Sequence, residues 1–94
     1  MLESQIQSRL KRKLEAKGLT VLRSLGHSKS GYPDLQILEK PRKFMYVEVK
    51  QPGEKLTPLQ DVRKKELEAM DFPVFVAFDH TDATVNEIMR MLYS

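Results

Sequence analysis

Ile6, Leu10 and Leu14 recur at four-residue intervals among polar and charged residues. That spacing predicts an amphipathic helix with one apolar stripe, and Gly18 is a good residue to stop it. The period then changes. Residues 20–25 (TVLRSL), 32–38 (YPDLQIL) and 44–50 (FMYVEVK) read as three strands. Between the first two lies a Ser- and Gly-rich loop over 26–31, and between the last two a polar turn over 39–43 that holds Pro41. Thr57 followed by Pro58 reads as a helix start, threonine as N-cap and proline at the first helical position. That helix carries Leu59, Val62 and Leu67 towards Met70. After Pro73 the apolar run 74–78 (VFVAF) is short enough for a buried strand, and Val85, Ile88, Met89 and Leu92 describe a closing amphipathic helix. The pattern therefore predicts one α/β domain over residues 1–94, a mixed four-stranded sheet flanked by helices in the order α-β-β-β-α-β-α. The helix between the third and fourth strands is expected to be a right-handed crossover joining parallel strands.

The central hairpin has a register that the apolar pattern selects. If Leu38 pairs with Phe44, one face matches Leu35 with Val47 and Ile37 with Met45, apolar throughout and so the expected core face. The other face then places Asp34 directly opposite Glu48, and Lys50 points the same way as Glu48. Two carboxylates facing each other across a strand pair repel. A fold that puts them there implies a cation between them. Two acids and a lysine around a metal ion make a phosphodiester-cleaving site.

Composition changes the picture only in part. With no cysteine there is neither a disulfide framework nor a thiolate metal site, which suits a reducing, cytoplasmic setting. No long apolar run predicts a signal peptide or membrane span. The net charge of +3 hides an asymmetry: residues 9–65 carry fifteen of the sixteen Lys and Arg against six acids, and residues 66–94 one base and six acids. The basic part also holds the acidic hairpin, as a phosphate-backbone ligand requires. The runs at 11–13 (KRK) and 63–65 (RKK) are read equally well as solvated helix faces.

Each candidate residue has a plainer reading. Asp34 follows a proline at a loop end, where aspartate often caps a turn. Lys50 would serve as an ion-pair partner for either carboxylate. Gln60, three residues after Thr57, fits a capping box. Glu3 continues the first helix's stripe backwards by about one turn, yet Ser4 and Gln7 form an alternative capping box that would leave it outside the helix. His27 reads as a loop residue near phosphate.

The constellation resembles the PD-(D/E)xK nucleases: Pro33-Asp34, thirteen intervening residues, then Glu48-Val49-Lys50. The neighbours narrow the match. Residues 31–35 (GYPDL), 48–53 (EVKQPG) and 56–60 (LTPLQ) are similar to the GxPDL and EVKxPGxxLTxxQ stretches of the VRR-NUC (virus-type replication-repair nuclease) family. The resemblance covers nearly the whole chain. It implies a restriction-endonuclease-like core, a first-helix glutamate at the metal, for which Glu3 is the candidate, and a glutamine, Gln60, facing the active site. Stand-alone phage or prophage nucleases of this kind are homodimers that act on branched DNA such as four-way (Holliday) junctions, so the resemblance implies those partners too.

From the groups available, the expected ion is Mg²⁺ or Mn²⁺, hard cations suited to carboxylates and water. Asp34 and Glu48, with Glu3 and the carbonyl of Val49, are the expected ligands, and Lys50 is expected to orient the attacking water or stabilise developing charge. Met89, Met91, Leu92 and Tyr93 either form a dimer contact or complete the core. Two other classes remain open at this point, a non-catalytic nucleic-acid-binding module and a phage accessory interaction module.

Overall fold

The computed structural model describes residues 2–24 and 31–94. The helix α1 (Glu3–Ala16) lays Ile6, Leu10 and Leu14 into the core, as their spacing predicts. It ends in a Schellman motif: Gly18, at φ +88°, donates its N–H to the Glu15 carbonyl and Leu19 donates to Leu14. Three strands follow, β1 (Thr20–Arg23), β2 (Leu35–Glu39) and β3 (Lys43–Val49), then α2 (Pro58–Ala69), β4 (Val74–Ala77) and α3 (Asp82–Leu92). The sheet order is β1-β2-β3-β4, antiparallel except for the parallel β3–β4 pair. The mixed four-stranded sheet expected from the pattern is therefore present, with α2 joining its parallel strands.

The expected register is also the observed one. Leu35 pairs with Val47, Ile37 with Met45 and Leu38 with Phe44. Leu35, Ile37, Met45 and Val47 are fully buried against α1 and α3, with Val85, Ile88 and Leu92 of α3 joining Leu10 and Leu14 in one cluster. A one-residue slip would turn that whole set outwards, so burial pins the register.

Several boundaries differ from the sequence reading. The second strand begins at Leu35, not at Tyr32; just before it, Ser24 donates to the Pro33 and Asp34 carbonyls. The fourth stops at Ala77, leaving Phe78 outside and exposed. The end of the first predicted strand at Leu25, and the loop residues from Gly26 to Ser30 including His27, lie outside the described residues. The helix α2 buries only Leu67; Leu59 and Val62, expected in its core stripe, are exposed. Leu92 and Met89 complete the core, whereas Met91 and Tyr93 remain on the surface. Among the described residues no helix is long and apolar enough to cross a membrane.

Candidate active site

The face of the sheet turned away from α1 and α3 is divided along its length. At the hairpin end Phe44, Tyr46 and Phe72 meet edge to face, with ring centroids 4.8 to 6.4 Å apart. At the other end β3 delivers Glu48 and, just past its last residue, Lys50, only 4% and 6% exposed. The chain there forms an open pocket of about 300 Å³, lined among others by Glu3, Tyr32, Asp34, Glu48, Lys50 and Gln60. Four of the residues singled out from sequence (Asp34, Glu48, Lys50 and Gln60) thus converge, and Glu3 and Val49 join them.

Asp34 reaches its place through an interrupted ladder. The paired part of β2 stops at Leu35, so the Val49 N–H has no strand residue opposite it. The Asp34 side chain accepts that N–H through Oδ2 at 2.8 Å, while its own carbonyl accepts from the Ser24 N–H at 2.8 Å. This fixes the carboxylate beside Glu48 and leaves its remaining lone pairs directed away from Val49. The Val49 carbonyl lies on the same strand edge as its N–H, past the last β2 partner.

Glu48 pays for its position in protonation. Burial is the main cause, the hydrogen bond and negative charge of Asp34 add to it, and together they push its carboxyl from 4.5 up to about 9, despite the opposing charge of Lys50. Without a cation the pair is held together by a proton. The Lys50 backbone is fixed by a 2.9 Å hydrogen bond from its N–H to the Ala77 carbonyl, so β4 sets the lysine's place.

Glu3 is the first residue of α1, inside the helix rather than before it. The alternative cap at Ser4 does not form; Leu2 is the N-cap, and its N–H donates to Gln5 Oε1 at 2.9 Å. The Glu3 carboxyl is raised by partial burial and by Glu54, with Asp34 adding and Lys50 opposing. Glu54 gets there through a turn in which Pro52 and Gly53, at φ +88°, bring the Glu54 N–H 3.0 Å from the Gln51 carbonyl. Nothing in the sequence pattern marked Glu54, Ser4 or Gln7 as neighbours of the acids. Their proximity depends on how α1 and the 51–54 turn dock.

The capping box at α2 is complete. Gln60 Oε1 accepts from the Thr57 N–H at 2.9 Å, and Thr57 Oγ1 accepts from the Gln60 N–H at 3.2 Å. Both residues also line the pocket, so the cap and the site share them. With its oxygen committed, Gln60 has its NH₂ group to offer the pocket. The basic run at 63–65 is paired within the helix: Arg63 with Glu66, Lys64 with Glu68, Lys65 with Asp61, at 3.0 to 3.2 Å. These exposed pairs are worth about 0.5 kcal/mol or less each, weak enough for a phosphate to displace.

The donor set suits a hard divalent cation. It is all oxygen, and the buried Glu48 carboxyl keeps a proton where a cation would let it ionise. Among the described residues no group of three His, Cys, Asp or Glu side chains is placed to hold a metal ion by itself.

The VRR-NUC domain profile matches residues 2–78. The chain belongs to the VRR-NUC family. A solved structure titled VRR_NUC domain is similar over 94% of both chains, with a TM-score of 0.78 and 26% sequence identity. No curated protein sequence matches the chain at a significant level. Membership agrees with the fold and implies a nuclease-type function.

Proposed function

We propose that this VRR-NUC protein is an Mg²⁺- or Mn²⁺-dependent endonuclease that hydrolyses DNA phosphodiester bonds, preferring branched DNA such as four-way junctions. The observation that carries the reading is the meeting of the buried Glu48 with Asp34 beside Lys50 in one open pocket. A purely structural sheet gains nothing from two facing carboxyls, which cost stability wherever they lack a cation or proton between them.

Asp34 and Glu48, with the Val49 carbonyl and Glu3, are the residues that would hold the ion. A bound divalent cation supplies an acidified water and neutralises charge on the phosphoryl oxygen. Lys50 carries a positive charge beside both carboxylates, where it stabilises negative charge developing on the phosphate and orients the attacking water. Gln60 presents its amide N–H groups to the same pocket as a further donor. Asp34, pinned by Val49, keeps its carboxylate from swinging away when Glu48 ionises.

One active site makes one cut per encounter, so paired cuts in a junction need two sites facing the DNA, as a homodimer would supply. Met91 and Tyr93 are 36% and 48% exposed, and Tyr93 donates its hydroxyl to Glu39 Oε2 at the hairpin end of the sheet. That end is about 16 Å along β2 from Asp34, so a contact there leaves the pocket open. Met91→Asp should split such a dimer in light scattering and leave unpaired nicking. A monomeric wild type that still makes paired cuts would overturn the dimer.

The deciding experiment incubates labelled four-way junction, flap, duplex and single-stranded DNA with Mg²⁺, Mn²⁺ or EDTA. Cleavage only with metal, fastest on branched DNA, is expected. Salt-sensitive binding without metal-dependent cleavage would favour a binding module instead, and no DNA binding at all an accessory interaction module.

A further inference from the structure

Tyr32 stands on the rim of the acidic pocket, 47% exposed and outside the core. Its backbone is clamped from two sides. Gly31, at φ +73°, lies so close to α2 that a Cβ there would come within 2.7 Å of the Leu59 side chain and 3.0 Å of its backbone. On the other side Ser24 Oγ donates to the Pro33 carbonyl at 2.6 Å, and the Ser24 N–H donates to the Asp34 carbonyl at 2.8 Å. The ring is backed as well. The Arg63 guanidinium lies 5.1 Å from its centroid and is itself held by both carboxylate oxygens of Glu66, at 3.2 and 3.3 Å. An aromatic ring that is exposed, fixed in its loop and supported on one face by a cation is costly to leave in water and cheap to stack upon.

We propose that Tyr32, backed by Arg63, is a stacking platform for a nucleobase of the strand being cut, so that the pocket takes an unpaired or splayed nucleotide beside the scissile phosphate. This rests on the phosphodiester-cleaving reading of the pocket. Bases inside a duplex are already stacked on both sides, whereas a base at a junction centre, flap or single strand has a face to give. Every base has such a face, so the platform selects DNA structure and not sequence. Tyr32 is two residues from Asp34, close enough for the base and the phosphate to belong to adjacent parts of one strand.

The test scans a 2-aminopurine, and separately an abasic nucleotide, one position at a time across the cleavage site of a branched substrate. In EDTA, one position should be quenched by wild type and by Tyr32→Phe but not by Tyr32→Ala. With metal, an abasic nucleotide at that position should slow wild-type cleavage by about ten- to a hundredfold. Tyr32→Ala on intact DNA should lose as much, and combining the two should add nothing. Full additivity, or an abasic scan that leaves the wild-type rate unchanged, would overturn the platform. Loss in Tyr32→Phe would overturn it in favour of a hydroxyl contact. If Tyr32→Ala lowers Tm but leaves the quenching intact, the ring only shields α2 and the proposal fails. Should the wild type cut no DNA at all, the cleavage reading falls, and the quenching in EDTA still decides whether Tyr32 stacks a base.

Discussion

The two faces of one sheet are built from the same strands and behave oppositely. Met45, Val47 and Val49 of β3 turn towards α1 and α3 and are almost wholly buried among Leu10, Leu14 and Ile88. The alternate residues of that strand, Phe44, Tyr46 and Glu48, turn the other way, where α2 offers only Leu67 as a buried side chain. The closed face supplies most of the burial that drives folding. The open face spends part of it, because a buried carboxyl beside another carboxyl is destabilising. The difference teaches that the two jobs are separated by strand parity: changes at odd positions should act on stability, and changes at even positions near the strand's end on chemistry.

The strongest test of that separation is at the pocket. Glu48→Gln and Lys50→Ala should each reduce cleavage by about a hundredfold or more, with DNA binding in EDTA largely kept. Near-wild-type nicking by either variant in a gel assay would remove that residue from the active site. On the closed face the expected loss is of stability. Leu10→Ala or Ile37→Ala should cost about 2–5 kcal/mol in denaturant unfolding, while Val62→Ala, on the exposed side of α2, should stay within about 0.5 kcal/mol.

A third effect runs against intuition for an active-site change. Glu48 is protonated in the fold up to about pH 9, while its unfolded-state value is near 4.5. The native state therefore binds more protons in that window, and stability without metal falls as pH rises through it. Glu48→Gln removes the dependence, so the variant should be the more stable protein at alkaline pH, by on the order of a few kcal/mol. Thermal melts in EDTA at pH 5 and pH 9 that show parallel curves would contradict this. Millimolar Mn²⁺ or Mg²⁺ should raise the melting temperature of wild type more than that of Asp34→Asn.

A smaller effect lies where the two roles overlap. Thr57 caps α2 and lines the pocket, so Thr57→Ala should cost about 1 kcal/mol of stability and also slow cleavage by loosening Gln60. Thr57→Ser keeps the cap and should restore both; rescue of stability without rescue of rate would separate the two functions of this turn.

Much of this was legible in the chain because its patterns are local and periodic. The pairing of Leu38 with Phe44 followed from apolar alternation alone, and with it the meeting of Asp34 and Glu48. The start of α2 at Thr57-Pro58 and the stop of α1 before Gly18 were written in residues whose backbone preferences act at the spot. The reading failed where a partner distant in sequence decides. Leu59 looked like a core residue by spacing, but it packs close to Gly31 and stays partly exposed. Met91 was left open between surface and core, and only the packed structure shows it 36% exposed beside the buried Leu92 of the predicted stripe.

The sequence by itself determined the order of elements, the register of the hairpin and the identity of the acids and lysine, because alternation along a strand and chemistry at a fixed spacing survive any rearrangement of the rest. Tertiary structure alone decided that Glu3 and Glu54 approach the acids, that Glu48 keeps its proton and that Arg63 lies on the Tyr32 ring. Those outcomes depend on burial and on contacts between segments far apart in the chain, and no local pattern encodes a desolvation that packing creates.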